Sequence, residues 1–192
     1  MNFLEVYPNA LSKDKCDSII KLFEQDDRKE PGRIASGVDT DNKVSTDLLC
    51  NFINKDFKEY NDIILESIGI TIALYRQKYH FLEFCDTWNI SGEYNIQRYN
   101  DGDGFFKPHC EQGGYVSYRM LAWMIYLTDS LSGTEFPYQN TILEAKRGNM
   151  AVWPAAWTHP HKGQTPNRGH KYIITGWGHF VDPVEPVEEV SQ

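Results

Sequence analysis

The half of the chain that follows Trp88 constrains the fold most, because it consists of short aromatic and β-branched segments separated by glycine and proline. Such segments are typical of strands, and the interruptions NDGDG, SLSG, KRGN and TPNRG are typical of turns. Many short strands at this spacing predict a β-sandwich or barrel. The predicted strands are Tyr94–Tyr99, Val116–Leu127, Thr134–Phe136, Thr141–Ala145, Met150–Trp153 and Lys171–Trp177.

The first half of the chain has helical periodicity instead. A short strand is predicted at Phe3–Tyr7, followed by a helix after Ser12, whose side chain suits an N-cap. The segment Gln25–Asn42 is rich in charge and contains proline and glycine, so it is predicted to be a loop. Ser45 is a second candidate N-cap. The apolar residues after it predict one long helix: Leu48, Leu49, Phe52, Ile53, Tyr60, Ile63 and Ile64.

These patterns predict a mainly β fold with flanking helices, in the α+β class. One domain is expected over residues 1–181, with mainly helical support in 1–87 and the strand-rich core in 88–181. The remaining residues, 182–192, read DPVEPVEEVSQ and are predicted to form an acidic tail.

Composition narrows the function classes. The 192 residues carry a net charge of -8, which argues against nucleic acid or an anionic membrane as a partner, because both attract basic patches. The four cysteines are scattered and form no CxxC pair, as is typical of reduced thiols. No signal peptide and no apolar run of about 18 residues is present, so we expect a cytoplasmic protein without a membrane-spanning segment.

The stretch KPHCEQGG offers the first chemistry. His109 and Glu111 stand two residues apart, so on an extended chain both side chains point to one face, as a chelating pair requires. His159 and His161 in THPHKG are the candidates for a third ligand. Two histidines and a carboxylate on one metal face hold non-haem Fe(II), and a similar set holds zinc for hydrolysis.

Lys171 is the second feature, because it begins the apolar run KYIITGW. A lysine inside a partly apolar barrel is costly unless it meets an anion. It is therefore a candidate counter-ion for a dicarboxylate co-substrate, and an exposed lysine at the start of a strand is the alternative interpretation.

The order of these residues is similar to that of the 2-oxoglutarate and Fe(II)-dependent oxygenases, most of all the prolyl-hydroxylase group. The similarity runs from about Tyr94 to Phe180. It is carried by the spacing from Tyr99 to His109-x-Glu111, by YLTD and SGTEF, and by His161 ten residues before Lys171-Tyr. The resemblance implies a double-stranded β-helix, or jelly roll, with the site between its two sheets.

The resemblance also implies residue roles. His109, Glu111 and His161 would ligate Fe(II), with His159 beside them or at the surface. Lys171 would pair with the distal carboxylate of 2-oxoglutarate. Tyr99 and Tyr126 would line the co-substrate pocket, and Trp177 would face the substrate side. Ascorbate is an additional candidate cofactor. Such an enzyme uses dioxygen to hydroxylate an unactivated C–H, in a prolyl or other protein side chain or in a small molecule.

One residue departs from the family pattern, since Glu111 stands where aspartate is usual. Glutamate is one methylene longer, so either the metal shifts or the carboxylate binds in another mode. Cys110, between the two ligands, is predicted to point to the opposite face as a small buried hydrophobe. Two alternatives remain open: a cupin-like metal protein that does not use 2-oxoglutarate, and a non-catalytic jelly-roll binding module.

Overall fold

The computed structural model describes residues 1–85 and 87–181, which form two α-helices and twelve strands. The predicted acidic tail, 182–192, lies outside the described residues. The elements are β1 (Glu5–Tyr7), α1 (Lys13–Gln25), β2 (Glu30–Pro31), β3 (Lys43–Val44), β4 (Thr46–Asn51), α2 (Lys58–Lys78), β5 (Trp88–Tyr99), β6 (Gly104–Phe105), β7 (Arg119–Tyr126), β8 (Ser130–Phe136), β9 (Thr141–Ala145), β10 (Met150–Pro154), β11 (Lys162–Gly163) and β12 (Lys171–Phe180).

A seven-stranded antiparallel sheet is the largest element, in the order β1-β10-β7-β12-β5-β4-β2. Its centre is β12, which pairs with β5 along one edge and with β7 along the other. A smaller sheet has the order β11-β8-β9, and β3 pairs with β6 alone. Two sheets that enclose a core are the jelly-roll arrangement, so the predicted fold class is confirmed.

The two faces of the large sheet have different neighbours because side chains alternate along each strand. On β7, Leu121, Trp123 and Ile125 join the cluster that includes the buried faces of α1 and α2. Ala122, Met124 and Tyr126 join a second cluster that includes Phe136 and Ala145 of the smaller sheet. The helices therefore support one face of the sheet and leave the other face free for a site.

Helix α1 forms as predicted, with Ser12 as N-cap accepting a hydrogen bond from the Lys15 amide at 3.3 Å. Its buried residues are Cys16, Ile19 and Phe23, the apolar face of the periodicity. No helix of the described residues combines the length and apolar character that a bilayer span requires.

The long helix predicted to begin at Ser45 is wrong in its first half. Residues Thr46–Asn51 form β4, at the end of which the chain turns, and the helix begins only at Lys58. The adjacent leucines show why: Leu48 is 1% exposed and Leu49 is 59% exposed, which is the alternation of a strand. A short run of apolar residues fits the period of a helix and that of a strand equally well, and it forms a strand here because it pairs with β5. The large sheet therefore extends into the part of the chain predicted to be mainly helical.

This correction predicts different costs for two neighbouring truncations. Leu48→Ala should lower the free energy of unfolding by about 2–5 kcal/mol, because it leaves a cavity in the core. Leu49→Ala, the matched control, should change it by less than about 0.5 kcal/mol, because the side chain is mostly exposed. Urea unfolding followed by circular dichroism measures both, and equal losses in the two variants would contradict the assignment of β4.

Candidate metal centre

Two backbone hydrogen bonds bring the separated sequence motifs together. The His109 amide donates to the His161 carbonyl at 2.9 Å, and the His161 amide donates to the His109 carbonyl at 2.8 Å. This isolated antiparallel bridge lies outside the regular strands. Beyond it, the amides of Glu111 and Gln112 both donate to the Ala155 carbonyl, at 3.0 and 2.9 Å. The segment with the HxE pair is therefore held directly against the segment with the third ligand.

Three side chains meet at this point, and the sequence had predicted all three. The Oε1 atom of Glu111 lies 3.6 Å from Nε2 of His109 and 3.3 Å from Nε2 of His161. One donor atom from each residue lies within 4.8 Å of the other two. Cis ligands bound at metal–nitrogen distances near 2.1 Å are roughly 3 Å apart, so this set is close to a chelating geometry.

In His109 and His161, Nδ1 makes a hydrogen bond that orients Nε2 toward the centre of the cluster. Nδ1 of His161 donates to the His159 carbonyl at 3.0 Å, and Nδ1 of His109 donates to the Lys107 carbonyl at 3.3 Å. A donating Nδ1–H leaves a lone pair on Nε2, which is the atom that a metal needs. His161 is also packed between aromatic rings, with Phe136 stacked on it at 5.2 Å and Trp153 edge-on at 5.1 Å.

The structure also separates the two histidines of THPHKG. His159 uses both ring nitrogens elsewhere, with Nε2 donating to the Asn2 carbonyl at 2.7 Å and Nδ1 beside the Thr158 hydroxyl at 2.9 Å. Burial lowers the pKa of His159, so its neutral form is favoured. His161 is therefore the histidine that joins the cluster, and His159 fixes it through the backbone carbonyl.

The carboxylate of the cluster is ionised. Without a metal, burial raises the pKa of Glu111, but hydrogen bonds and positive charge from His109 and His161 outweigh that effect and hold the pKa well below its usual range; a bound metal cation would replace the Nε2 protons that make those bonds. Two imidazole nitrogens and one carboxylate on one face, with the remaining directions open, form the donor set that suits non-haem Fe(II). The residues present therefore fit this metal.

A cavity of about 680 Å³ lies next to the cluster and reaches Lys171. Its walls come from the inner faces of β5, β7 and β12, the smaller sheet, and two loops, at residues 33–36 and 107–116. A cavity of this volume is within the range of small-molecule sites. Pocket and metal cluster are therefore one site between the two sheets.

Lys171 is only 2% exposed, although it carries an ammonium group. Its Nζ donates to the Gln164 carbonyl at 2.7 Å and lies 5.2 Å from the centre of the Tyr99 ring. No carboxylate of the described residues forms an ion pair with it. Burial lowers the pKa of Lys171 to about 8. A buried cation without a protein anion at a cavity wall is suited to an anionic ligand.

The other predicted site residues occupy different places. Tyr99 lines the cavity, and its hydroxyl donates to Gln97 at 2.8 Å. Tyr126 does not line the cavity, but its hydroxyl donates at 2.7 Å to Thr134, which lines it. Because β7 turns Tyr126 into the core between the sheets, this side chain acts one layer behind the wall. Trp177 lines the cavity as predicted, and its indole N–H donates to Oε2 of Glu111 at 2.8 Å.

Cys110 differs from its prediction as well. It is half-buried and lines the cavity, because residues around the His109 bridge do not form the regular strand that would turn it away. Its thiol donates to the Gln112 carbonyl at 3.2 Å, a partner that does not activate it as a nucleophile.

Two features of the wall were not predicted. Arg119 contacts the Glu111 carboxylate at 3.3 Å. Lys43 and Asp47 form an ion pair at 2.6 Å that is almost fully buried. Asp47 also accepts from Ser45 at 2.7 Å and Asn95 at 2.9 Å. The mistaken helix at Ser45 hid this pair, since no local pattern indicates a buried ion pair.

Comparisons with known proteins agree with this site. The family model described as the 2OG-Fe(II) oxygenase superfamily matches residues 94–179, which include the three clustered side chains and Lys171. The matched segment runs from β5 to β12 and covers the strand-rich second half of the chain. The predicted 2-oxoglutarate and Fe(II)-dependent dioxygenase, with Fe(II) and 2-oxoglutarate as cofactor and co-substrate, is thereby confirmed over the cupin-like and non-catalytic alternatives. No curated protein sequence matches the chain.

Solved structures support the fold. A viral collagen prolyl hydroxylase from Paramecium bursaria Chlorella virus-1 has a TM-score of 0.67 and 16% identity, over 93% of this chain and 97% of that one. A Pseudomonas putida prolyl-4-hydroxylase has a TM-score of 0.70 and 14% identity, over 93% and 94%. A Trichoplax adhaerens prolyl hydroxylase was solved with a peptide fragment of hypoxia inducible factor. Its TM-score is 0.69 and its identity 12%, over 94% of this chain and 84% of that one. The chain therefore shares the prolyl-hydroxylase jelly roll.

Lys171 gives a prediction about stability. In the ligand-free chain, Lys171→Met should raise the free energy of unfolding at pH 7 by on the order of 2 kcal/mol, because it removes a buried cation without an ion pair. The pKa of Lys171 is lowered from 10.5 to about 8, so between those values the unfolded chain binds more protons and the unsubstituted chain gains stability as pH rises. The advantage of the variant should therefore shrink above pH 8.

Urea unfolding of both proteins from pH 7 to pH 10.5 measures this difference. Lys21→Met, at an exposed position of α1, is the matched control and should have little effect at any pH. A lower stability of Lys171→Met at pH 7 would contradict the prediction.

Proposed function

We propose that His109, Glu111 and His161 hold Fe(II), that Lys171 binds the distal carboxylate of 2-oxoglutarate, and that the enzyme hydroxylates a side chain of a protein or peptide, with peptidyl proline as the first candidate. The observation that supports this most is one cavity with both a converged His/Glu/His set and a buried ammonium that forms no ion pair with a carboxylate of residues 1–85 and 87–181. A hydrolytic zinc site would have no use for that ammonium.

The metal and co-substrate, when bound, couple the decarboxylation of 2-oxoglutarate to succinate with the transfer of one oxygen atom from dioxygen to a C–H bond. The residues of the chain bind the metal and the co-substrate and orient them. Lys171 neutralises the carboxylate that lies farther from the metal, and the Tyr99 ring lies 5.2 Å from the Lys171 ammonium nitrogen. Met124 and Ile173, on the inner face of the large sheet, line an apolar wall that excludes water from the reacting atoms. Ascorbate is proposed as a reductant to include in assays.

A peptide substrate is supported by the shape of the site. The loops at residues 33–36 and 107–116 form part of the cavity wall, and the cavity of about 680 Å³ is larger than a bound 2-oxoglutarate requires. The Trichoplax adhaerens relative with this fold binds a peptide fragment. A free amino acid or another small molecule is the second candidate. The four reduced thiols support a cytoplasmic location as part of the same proposal.

The metal and co-substrate roles are tested without substrate or oxygen. Adding Fe(II) and 2-oxoglutarate anaerobically should produce the weak visible charge-transfer band of the chelate. His161→Ala and His109→Ala should abolish the band, since each removes a ligand, and Lys171→Ala should weaken it by raising the Kd for 2-oxoglutarate. His159→Ala is the matched control, and it should retain the band because its ring nitrogens bond elsewhere. A band lost in His159→Ala and kept in His161→Ala would reverse the assignment.

The substrate class is tested by coupling. Proline-containing peptides should stimulate succinate formation from 2-oxoglutarate and gain the mass of one oxygen atom on the proline. The same peptides with alanine in place of proline are the control. Stimulation by free amino acids and by none of the peptides would favour the small-molecule candidate.

A further inference from the structure

The two oxygens of the Glu111 carboxylate have different surroundings. Oε1 faces the two histidine nitrogens of the cluster. Oε2 accepts a hydrogen bond from the Trp177 indole at 2.8 Å and lies 3.3 Å from Nη1 of Arg119. One oxygen is therefore directed toward the metal position, and the other is already bound by the protein.

Trp177 and Arg119 also hold each other. The guanidinium carbon of Arg119 lies 3.6 Å from the centre of the Trp177 ring, a close cation–π stack. The two residues come from paired strands, β12 and β7, at the rim of the large sheet. The same Nη1 atom of Arg119 reaches the Glu111 backbone carbonyl at 3.4 Å. Because the donors are fixed by a rigid sheet, they fix the far end of the glutamate.

The backbone around Arg119 is braced as well. The Gln112 side chain donates to the carbonyls of Arg119 at 2.8 Å and Ser117 at 2.9 Å, which ties the loop after Glu111 to the start of β7. Nε of Arg119 is buried without a protein partner. The contacts that hold the guanidinium are therefore those with Glu111 and the Trp177 ring.

We propose that Trp177 and Arg119 are positioning residues that occupy Oε2 of Glu111, so that the glutamate offers the metal the single oxygen Oε1. The inference rests on the metal centre proposed above. A glutamate has one more rotatable bond than an aspartate, so an unrestrained one can swing and bind through both oxygens. The second oxygen would take a position on the metal that 2-oxoglutarate or dioxygen needs. The Trp177–Arg119 pair is the means by which this site accommodates the extra methylene.

The test variant is Trp177→Phe, which removes the indole N–H and keeps an aromatic ring under Arg119. The probe is Co(II), whose visible absorption weakens as its coordination number rises. We expect a Kd for Co(II) that is about 10–100-fold higher, the usual cost of losing a partner of a ligand, together with weaker absorption per bound ion. Trp88→Phe is the matched control, since the Trp88 indole N–H also donates a hydrogen bond, to the Leu82 carbonyl at 3.3 Å, but Trp88 does not line the cavity.

A double-mutant cycle with Glu111→Asp separates positioning from general packing. Aspartate is shorter by one C–C bond, about 1.5 Å, so its outer oxygen cannot reach both the metal side and the indole. Trp177→Phe should therefore change Co(II) affinity by less than about threefold in the Glu111→Asp background. Arg119→Lys, which keeps the charge and loses the stack, should shift the Co(II) spectrum in the same direction as Trp177→Phe. Thermal unfolding of the metal-free variants shows that each is folded.

Each outcome has a defined meaning. A Co(II) affinity and spectrum of Trp177→Phe equal to those of the unsubstituted chain would overturn the positioning role, while the metal centre would stand. An equal effect of Trp177→Phe in both backgrounds would also overturn it, since the indole would then act through packing. If the unsubstituted chain binds neither Co(II) nor Fe(II), the metal centre itself fails. If Trp177→Phe does not fold, the Co(II) spectrum of Arg119→Lys tests the positioning role instead, and a spectrum equal to that of the unsubstituted chain would overturn it.

Discussion

The pair of backbone hydrogen bonds between His109 and His161 is the contact on which the site depends. It joins a loop that follows β6 to a loop that follows β10, and neither loop has a regular strand at that point. Because the two amides bond reciprocally, the side chains are fixed on the same side of the bridge, where their rings lie 4.4 Å apart. Glu111 follows two residues later and completes the set. A shift of one residue in this bridge would turn one histidine away from the centre.

The alternation of side chains along β5, β7 and β12 divides structural residues from functional ones. The outer face of these strands packs on the helices and supplies most of the apolar core. The inner face carries Tyr99, Met124, Lys171 and Trp177 into the cavity. A rigid sheet backed by helices is a suitable base for a site in which Lys171 has no ion-pair partner among the described residues, because the core offsets the cost of that burial.

The polar groups of the cavity fall into two kinds. Lys43 and Asp47 neutralise each other and, with Ser45 and Asn95, form a network that is satisfied by the protein itself. Lys171 has a carbonyl as its hydrogen-bond partner and, within the part of the chain that the structure describes, forms no ion pair with a carboxylate. The Lys43–Asp47 network therefore shapes the cavity wall, whereas the Lys171 ammonium is available to bind an anionic ligand. On the metal side, Arg119 and Trp177 extend the same principle to Glu111, since they bind one oxygen and leave the other toward the histidines.

The sequence by itself predicted the strand-rich second half and helix α1, because local periodicity and turn residues encode them. The roles of His109, Glu111, His161 and Lys171 were predicted from the resemblance to the oxygenases, since no local pattern joins residues so far apart in the chain. The sequence could not distinguish strand from helix at Leu48 and Leu49, since a short apolar run fits both periods until β5 pairs with it. The bond from Trp177 to Glu111, the contact of Arg119 with the same carboxylate and the place of Tyr126 behind the wall were decided by the tertiary structure alone. Each depends on which strands become neighbours and which face turns inward, and those contacts join residues far apart in the chain.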